Sequence, residues 1–227
     1  LATGSVFGAQ PAADRNYVGI NPMLPTDADG SNAFADLAIQ AQRWMKDDGS
    51  DTVALDADGW PLADASTIVF GKGNRPGTYH LRFEGRADSI EVMWLAGRVD
   101  SLRWDPGTNI SDAAIVMAAP MGETGGLILH GTRRTRTSAA GTGFRNLHLW
   151  RPGYPVDGSR LFTDEWEALM SRFDVVRFMD WGSTDRNPVG SWADRRRPGT
   201  ANPGDKTVGE RTGDPGLPLE YMVALCN

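Results

Sequence analysis

The hydrophobic and polar positions follow a helical spacing in the first part of the chain. Apolar residues recur on one face of a predicted helix at Phe34, Leu37, Ala38, Ala41, Trp44 and Met45. Ser31 or Asn32 can cap this helix, and a short strand that begins at Tyr17 and stops before Pro22 precedes it. Residues 1–16 are small and polar, and we expect them to form an arm or linker.

From about residue 52 to residue 146 the pattern becomes that of antiparallel β-structure. Short apolar or alternating runs are separated by Gly, Pro, Asn and Asp, and they lie at 67–70, 78–83, 89–94, 98–104, 113–118 and 127–132. Turn signals that recur about every ten residues are typical of a β-sandwich. We therefore expect a sandwich of about six to eight strands over 52–146.

After residue 146 the pattern predicts strands that alternate with helices. Residues 144–150 form one predicted strand, and 174–181 form a second that is almost continuously apolar, as in a strand covered on both faces. Between them Thr163 begins a helix with one apolar stripe of Trp166, Leu169, Met170 and Phe173. A polar segment reaches residue 216, and the helix predicted after it is left without a following strand at residue 227.

Composition excludes some classes of function and favours others. The net charge of −6 disfavours a surface that follows nucleic-acid phosphates. No apolar run reaches the ~18–20 residues of a membrane span, and the lone Cys226 excludes an internal disulfide framework. Eight Trp against four Tyr suggests a core or a sugar-stacking cleft rich in indole rings, with the core the commoner place for any single Trp.

Several short blocks of the chain resemble a large family of bacterial secreted proteins that are described as cellulose- or carbohydrate-binding and are related to glycoside hydrolases. The most specific are Arg-Phe-Met-Asp-Trp at 177–181 and Trp-Ala-Asp-Arg at 192–195. The others are Gly-Ile-Asn at 19–21, Arg-Trp-Met at 43–45, Leu-Asp-Ala-Asp-Gly-Trp-Pro at 55–61, Pro-Gly-Thr-Tyr at 76–79, Arg-Asn-Leu-His-Leu-Trp-Arg-Pro-Gly-Tyr at 145–154 and Gly-Leu-Pro-Leu-Glu-Tyr-Met at 216–222.

The resemblance implies an α/β plus all-β fold, namely the N-terminal part of a (β/α)8 barrel with an inserted antiparallel β-sandwich. Residues 17–51 would supply the first barrel strand and helix, 52–146 the sandwich, and 147–227 a continuing barrel segment that is incomplete at its C-terminus. The protein would be secreted or at the cell surface and would act on a polysaccharide. The catalytic glutamates would lie in a missing C-terminal part or in a complementary second polypeptide.

In a barrel, ligand-contacting residues follow the carboxyl ends of the strands. This rule places Asp180 and Trp181 at a cleft, where the carboxylate would bind a sugar hydroxyl and the indole would stack on a sugar ring. The remaining substrate-binding candidates are Asn21, Trp150, Arg151, Tyr154 and Trp192. Structural roles stay open beside these: Asp180 paired with an arginine, Trp181 filling the core, and an ion pair of Asp194 within its own loop.

The sequence favours no cofactor. Two Asp-x-Asp-Gly segments, at 27–30 and 56–59, resemble the start of a calcium loop but lack its further acidic ligands, so calcium remains a minor alternative. His80, His130 and His148 lie in separate predicted strands without a second ligand at metal spacing. Two other classes of function stay open beside the hydrolase: a non-catalytic carbohydrate-binding module, and a surface or assembly protein that makes contacts through the sandwich.

Overall fold

A computed structural model of the chain describes residues 17–25, 32–118, 122–185, 187–201 and 215–227. The predicted arm 1–16 and the Asp-x-Asp-Gly segment at 27–30 lie outside these residues. Most of the described chain is β-structure, arranged as two four-stranded sheets and one two-stranded sheet. None of the helices in the described ranges has the length and apolar character that crossing a bilayer demands.

The two larger sheets are antiparallel and face each other as a β-sandwich. Their strands, in chain order, are β2 (Met45–Lys46), β3 (Ala65–Phe70), β4 (Gly77–Glu84), β5 (Ser89–Met93), β6 (Gly97–Asp105), β7 (Ile110–Met117), β8 (Gly125–His130) and β9 (Arg145–Trp150). One sheet has the order β2-β3-β8-β5 and the other has the order β6-β7-β4-β9. Pairing therefore extends beyond 52–146 on both sides.

Alternating side chains of these strands fill the space between the sheets. On β4, Tyr79, Leu81 and Phe83 are buried while the residues between them are more exposed. They pack with inward residues of β3, β7, β8 and β9 in one hydrophobic cluster, the first core. Burial of every second residue is expected for a sheet that has one buried face and one solvent-exposed face.

Several loops meet at one end of the sandwich. The register places Phe70 opposite Gly125 and Met93 opposite Gly126 in the first sheet. In the second sheet Gly77 and Gly97 both lie opposite Met117. The connections 71–76 and 94–96, the end of β7 at Met117, the start of β8 at Gly125 and the chain after Trp150 therefore lie at the same end, which we call the loop end.

A smaller body lies beside the sandwich. Strand β1 (Gly19–Ile20) pairs in parallel with β10 (Val175–Val176), and two short α-helices follow the sandwich in sequence: α1 (Asp164–Met170) and α2 (Leu219–Cys226). Their apolar residues form the second core, whose members include Phe34, Phe162, Trp166, Trp181 and Met222. Trp166 and Met170 of α1 and Met222 of α2 are thus buried in the same cluster.

The expectation of a (β/α)8 barrel part is wrong. The described residues contain one pair of parallel strands, each of two residues, and α-helices of seven and eight residues. A barrel needs long parallel strands that alternate with covering helices. The predicted strand over 174–181 pairs only at Val175–Val176, and turns replace it from residue 179.

The helix predicted over 34–45 is also wrong. The chain there forms isolated bridges at Phe34 and Asp36 and then a single 3-10 turn, Leu37–Gln40. Phe34 belongs to the second core and Leu37 to the first. Because this segment runs between two cores, it buries side chains on more than one side, and its apolar spacing imitates the one-sided stripe of a helix.

Candidate functional site

Two of the predicted ligand-binding residues, Arg151 and Tyr154, line one cavity of about 440 Å³ at the loop end of the sandwich. We call it the Tyr154 pocket. Its walls are the loop 71–76, the turn 151–154 and the start of α1. The lining includes Arg75, Tyr79, Arg151, Pro152, Tyr154 and Glu165. A volume of this size falls in the range of small-ligand sites.

Buried hydrogen bonds fix the loop 71–76. Asn74 is buried, and its side-chain Nδ2 donates to the carbonyl oxygen of Gly71 at 2.9 Å. The hydroxyl of Tyr79, at the start of β4, donates to the carbonyl oxygen of Arg75 at 2.7 Å. Burial raises the pKa of Tyr79 to about 12, so this hydroxyl stays protonated and keeps donating. The backbone that carries Arg75 is therefore held in place.

Arg151 holds the turn 151–154 in place through buried hydrogen bonds. Its guanidinium is buried and donates from Nε to the carbonyl oxygen of Phe34 at 2.8 Å. It also donates to the side-chain oxygen of Asn74 and, at 3.5 Å, to that of Gln40. Arg151 thus joins the loop 71–76, the turn 151–154 and the segment at Phe34, which makes it a positioning residue of the pocket.

Tyr154 presents a half-buried ring whose hydroxyl is held by α1. The hydroxyl oxygen accepts from the backbone amide of Asp164 at 2.9 Å and donates to Glu165 Oε2 at 3.3 Å. Burial raises the pKa of Tyr154, with the charges of Glu165 and Asp164 acting in the same direction. The ring is therefore fixed in orientation, and its phenol stays neutral.

Arg75 and Glu165 form an ion pair beside this ring. Arg75 NH2 lies 2.6 Å from Glu165 Oε1, and more than half of each side chain is exposed. A hydrogen bond from the Glu165 backbone amide lowers the pKa of that carboxyl, and Arg75 contributes to the shift. The pocket therefore offers a planar cation and a planar anion, side by side, next to an aromatic face.

Trp150 lies in a different and smaller cavity. It is buried and stacks on His148, with ring centroids 5.1 Å apart. His148 Nδ1 is 2.7 Å from Asp36 Oδ2, and the other oxygen of Asp36 accepts from the backbone amide of Leu149 at 2.8 Å. This arrangement ties the segment at Asp36 to β9.

Asn21, Asp180 and Trp181 lie in the smaller body. Asn21 Nδ2 donates to Asp180 Oδ2 at 2.8 Å, and Asn21 Oδ1 accepts from the backbone amide of Met179 at 3.1 Å. Trp181 has no exposed surface; its Nε1 donates to the carbonyl oxygen of Met23 at 2.9 Å, and its ring stacks on Trp166. The expectation that Trp181 stacks on a sugar does not fit this position, because a core ring offers no face to a ligand.

Trp192 stands 67% exposed at an open groove of about 900 Å³. The Arg195 guanidinium lies over its ring, 4.1 Å from the centroid, and pairs with Glu220 at 3.0 Å. Asp194 accepts from the Ser191 hydroxyl at 2.9 Å. The described lining is largely apolar and contains arginines but no Asp or Glu, so this groove offers no charged acceptor side chain for sugar hydroxyls.

No described group of three or more His, Cys, Asp or Glu side chains is arranged to hold a metal ion. In the segment 56–59, Asp56 accepts from the backbone amides of Asp58 and Trp60 at 2.9 and 2.8 Å and pairs with Arg134. This carboxylate closes a turn, which is the other common use of an Asp-Gly segment. Cys226 is exposed on α2.

Sequence reasoning missed the polar side of the pocket. Arg75 and Glu165 are 90 residues apart in the chain and meet only because β4, β9 and α1 converge. Pro-Gly-Thr-Tyr at 76–79 was the available signal, since it adjoins Arg75 and contributes Tyr79. Comparison with known protein families, with characterised proteins and with solved structures gives no match for this chain.

Proposed function

We propose that this chain binds a carbohydrate in the Tyr154 pocket. The observation that carries the proposal is the half-buried Tyr154 ring beside the exposed Arg75–Glu165 pair. A sugar has an apolar C–H face and a rim of hydroxyl groups. An aromatic face suits the first, and planar charged groups suit the second.

The pocket supports a defined orientation of that ligand. Tyr154 cannot rotate freely, because its hydroxyl is bonded to both Asp164 and Glu165. The lowered pKa of Glu165 keeps its carboxylate an acceptor of sugar hydroxyl protons at neutral pH, while Arg75 donates to sugar oxygens. A site whose groups are already placed loses less entropy when a ligand binds.

The same electrostatics favour binding over hydrolysis. Glycoside hydrolysis needs a protonated carboxyl that serves as general acid together with a second carboxylate. Glu165 does not suit the first role, because the pKa of a general acid must be raised and that of Glu165 is lowered. A non-catalytic carbohydrate-binding protein is therefore the function that we propose.

The test is a binding screen with a tyrosine pair. Soluble cellulose, xylan, mannan and chitin oligosaccharides are titrated into the purified chain by calorimetry. Tyr154→Ala is expected to weaken binding about tenfold or more, the equivalent of about 1.4 kcal/mol, because a ring contact is lost. Tyr17→Ala removes an exposed tyrosine that lies outside the pocket, and it is expected to leave the affinity unchanged.

Circular dichroism and thermal melts of each variant confirm that the fold is kept. Tyr154→Phe retains the ring but loses the bonds to Asp164 and Glu165, so we expect an affinity between those of the wild type and Tyr154→Ala. A wild-type chain that binds none of these glycans contradicts the proposal. Equal affinity of the wild type and Tyr154→Ala would place binding elsewhere.

A second candidate function is that of a polysaccharide hydrolase completed by another polypeptide. The open groove at Trp192 favours it, because exposed Leu219 and Val223 of α2 border an apolar surface suited to being covered. Native mass spectrometry of material isolated from its source tests this candidate. A co-purifying partner that is lost in Val223→Asp and brings hydrolytic activity supports it, and a lone active or inactive chain contradicts it.

A further inference from the structure

Trp94 is the exposed tryptophan of the loop end. It lies in the connection 94–96 between β5 and β6, and 69% of its surface is accessible. Its φ angle is +63°, in the left-handed region that bulky side chains rarely adopt. A large apolar side chain is thus displayed in water on a backbone that disfavours it.

The neighbouring residues explain why the indole points outward. Leu95 packs on the first core, over Gly125, where an added Cβ would lie 2.3 Å from Leu95 Cδ1. Gly97 is equally close to Met117, whose Sδ would be 2.3 Å from an added Cβ. The chain crosses from one sheet to the other within 94–96, and Leu95 is partly buried there against the first core. Trp94 is left on the outside of this tight corner.

A strained backbone at an exposed aromatic residue has a functional implication. A non-glycine residue in the left-handed region lowers the stability of the folded state. Such residues cluster at active sites and ligand sites. Glycine would occupy the same corner without strain. Burial of the Trp94 side chain contributes little stabilisation to offset this strain, because most of its surface is exposed to water.

Trp94 and the Tyr154 pocket share the loop end. Gly97 and Gly77 lie in one register row, on either side of Met117, so they are two strand spacings or about 10 Å apart. Pro152 of the pocket packs directly on Gly77, and an added Cβ there would lie 2.8 Å from Pro152 Cγ. The path from Trp94 to Tyr154 therefore crosses the short ends of β6, β7 and β4.

We infer that Trp94 is a second aromatic subsite for an oligosaccharide that also occupies the Tyr154 pocket. The ligand class is a glycan chain of several sugar units, because a single sugar cannot reach both rings. This inference rests on the proposed function and adds chain length as the property that the protein selects.

The experiment compares disaccharides and hexasaccharides of cellulose, xylan, mannan and chitin on three proteins by calorimetry. The wild type is expected to bind the hexasaccharide about tenfold more tightly than the disaccharide. Trp94→Gly is expected to lose that difference and keep disaccharide affinity, while its Tm rises by about 2 °C as strain is relieved. Trp104→Ala is the control for the loss of a tryptophan from the same part of the sheet, since Trp104 lies on strand β6 towards its other end.

The possible results distinguish failure of the Trp94 subsite from failure of carbohydrate binding as a whole. If the wild type binds no glycan, the proposed function fails and the subsite fails with it. If the wild type binds but shows no preference for length, or if Trp94→Gly keeps the full preference, the subsite is overturned and the Tyr154 pocket stands. A preference lost equally in Trp94→Gly and Trp104→Ala also overturns the subsite.

Discussion

Gly77 packs against Pro152 of the Tyr154 pocket. Gly77 has a φ angle of +138°, and an added Cβ would lie 2.8 and 2.9 Å from two ring carbons of Pro152. Real Cβ atoms do not approach carbon that closely, and Pro152 cannot rotate away because its ring is fixed to the backbone. Glycine at this position lets the turn 151–154 sit against β4.

We expect Gly77→Ala to destabilise the protein by about 2–4 kcal/mol, from the clash together with the disfavoured backbone angle. Gly153→Ala is the matched control: its φ is +87° and no atom lies within 4 Å of the added Cβ. Its cost should be only the backbone part, about 1 kcal/mol. Urea unfolding measures both, and equal costs would show that the contact with Pro152 is unimportant.

Single residues also show where sequence reasoning about the site reached its limit. Tyr154 was predicted to bind ligand and lines a pocket, whereas Trp181 had the same prediction and has no exposed surface. Nothing local separates the two cases, because exposure depends on which distant segments pack over a side chain. The pairing of Arg75 with Glu165 was unpredictable for the same reason.

At the scale of elements, the pairing of β4 with β9 carries an ion pair near the edge of the sandwich. Glu84 lies opposite Arg145 and accepts hydrogen bonds from Arg145 and, at 3.0 Å, from Asn146 Nδ2. The bond from Arg145 lowers the pKa of Glu84, although partial burial opposes the shift. The charge of Glu84 therefore stabilises the folded state.

This pair makes stability depend on pH. Because the folded pKa of Glu84 is lower than the unfolded value, the contribution is complete above about pH 5 and is lost as pH falls through the folded pKa. We expect Glu84→Gln to be less stable than the wild type by about 0.5–1 kcal/mol at pH 7, a gap that closes in acid. Urea unfolding at a series of pH values checks this, with Glu123→Gln in the loop 122–124 as the control. A gap that does not change with pH would contradict the assignment.

Elements with purely local signals were predictable. The period-two runs of the central segment became strands, because alternation reports a sheet with one buried face. The Thr163 cap was also confirmed: its side chain accepts from the Trp166 amide, and α1 begins at Asp164. The segment at Phe34 failed, since its side chains enter two cores and their spacing does not report a single helix face.

At the scale of the whole molecule, two cores meet along the segment that contains Phe34, Asp36 and Leu37. The Ala35 amide donates to the carbonyl oxygen of Leu161 at 3.0 Å, and the Arg151 amide donates to that of Ala35 at 2.9 Å. The chain before the sandwich is therefore hydrogen-bonded to the chain after it. The barrel expectation came from the resemblance of short blocks, which fix neither strand length nor the number of covering helices.

The position of the ligand is the central claim, and hydrogen–deuterium exchange with and without the best-binding hexasaccharide tests it most directly. Protection is expected in the peptides that contain Arg75, Trp94 and 152–165, because they surround the path from Trp94 to the Tyr154 pocket. Peptides at the opposite end of the sandwich, around 106–109 and 131–144, should exchange at unchanged rates. Protection confined to the groove at Trp192, or to the opposite end, would contradict the account.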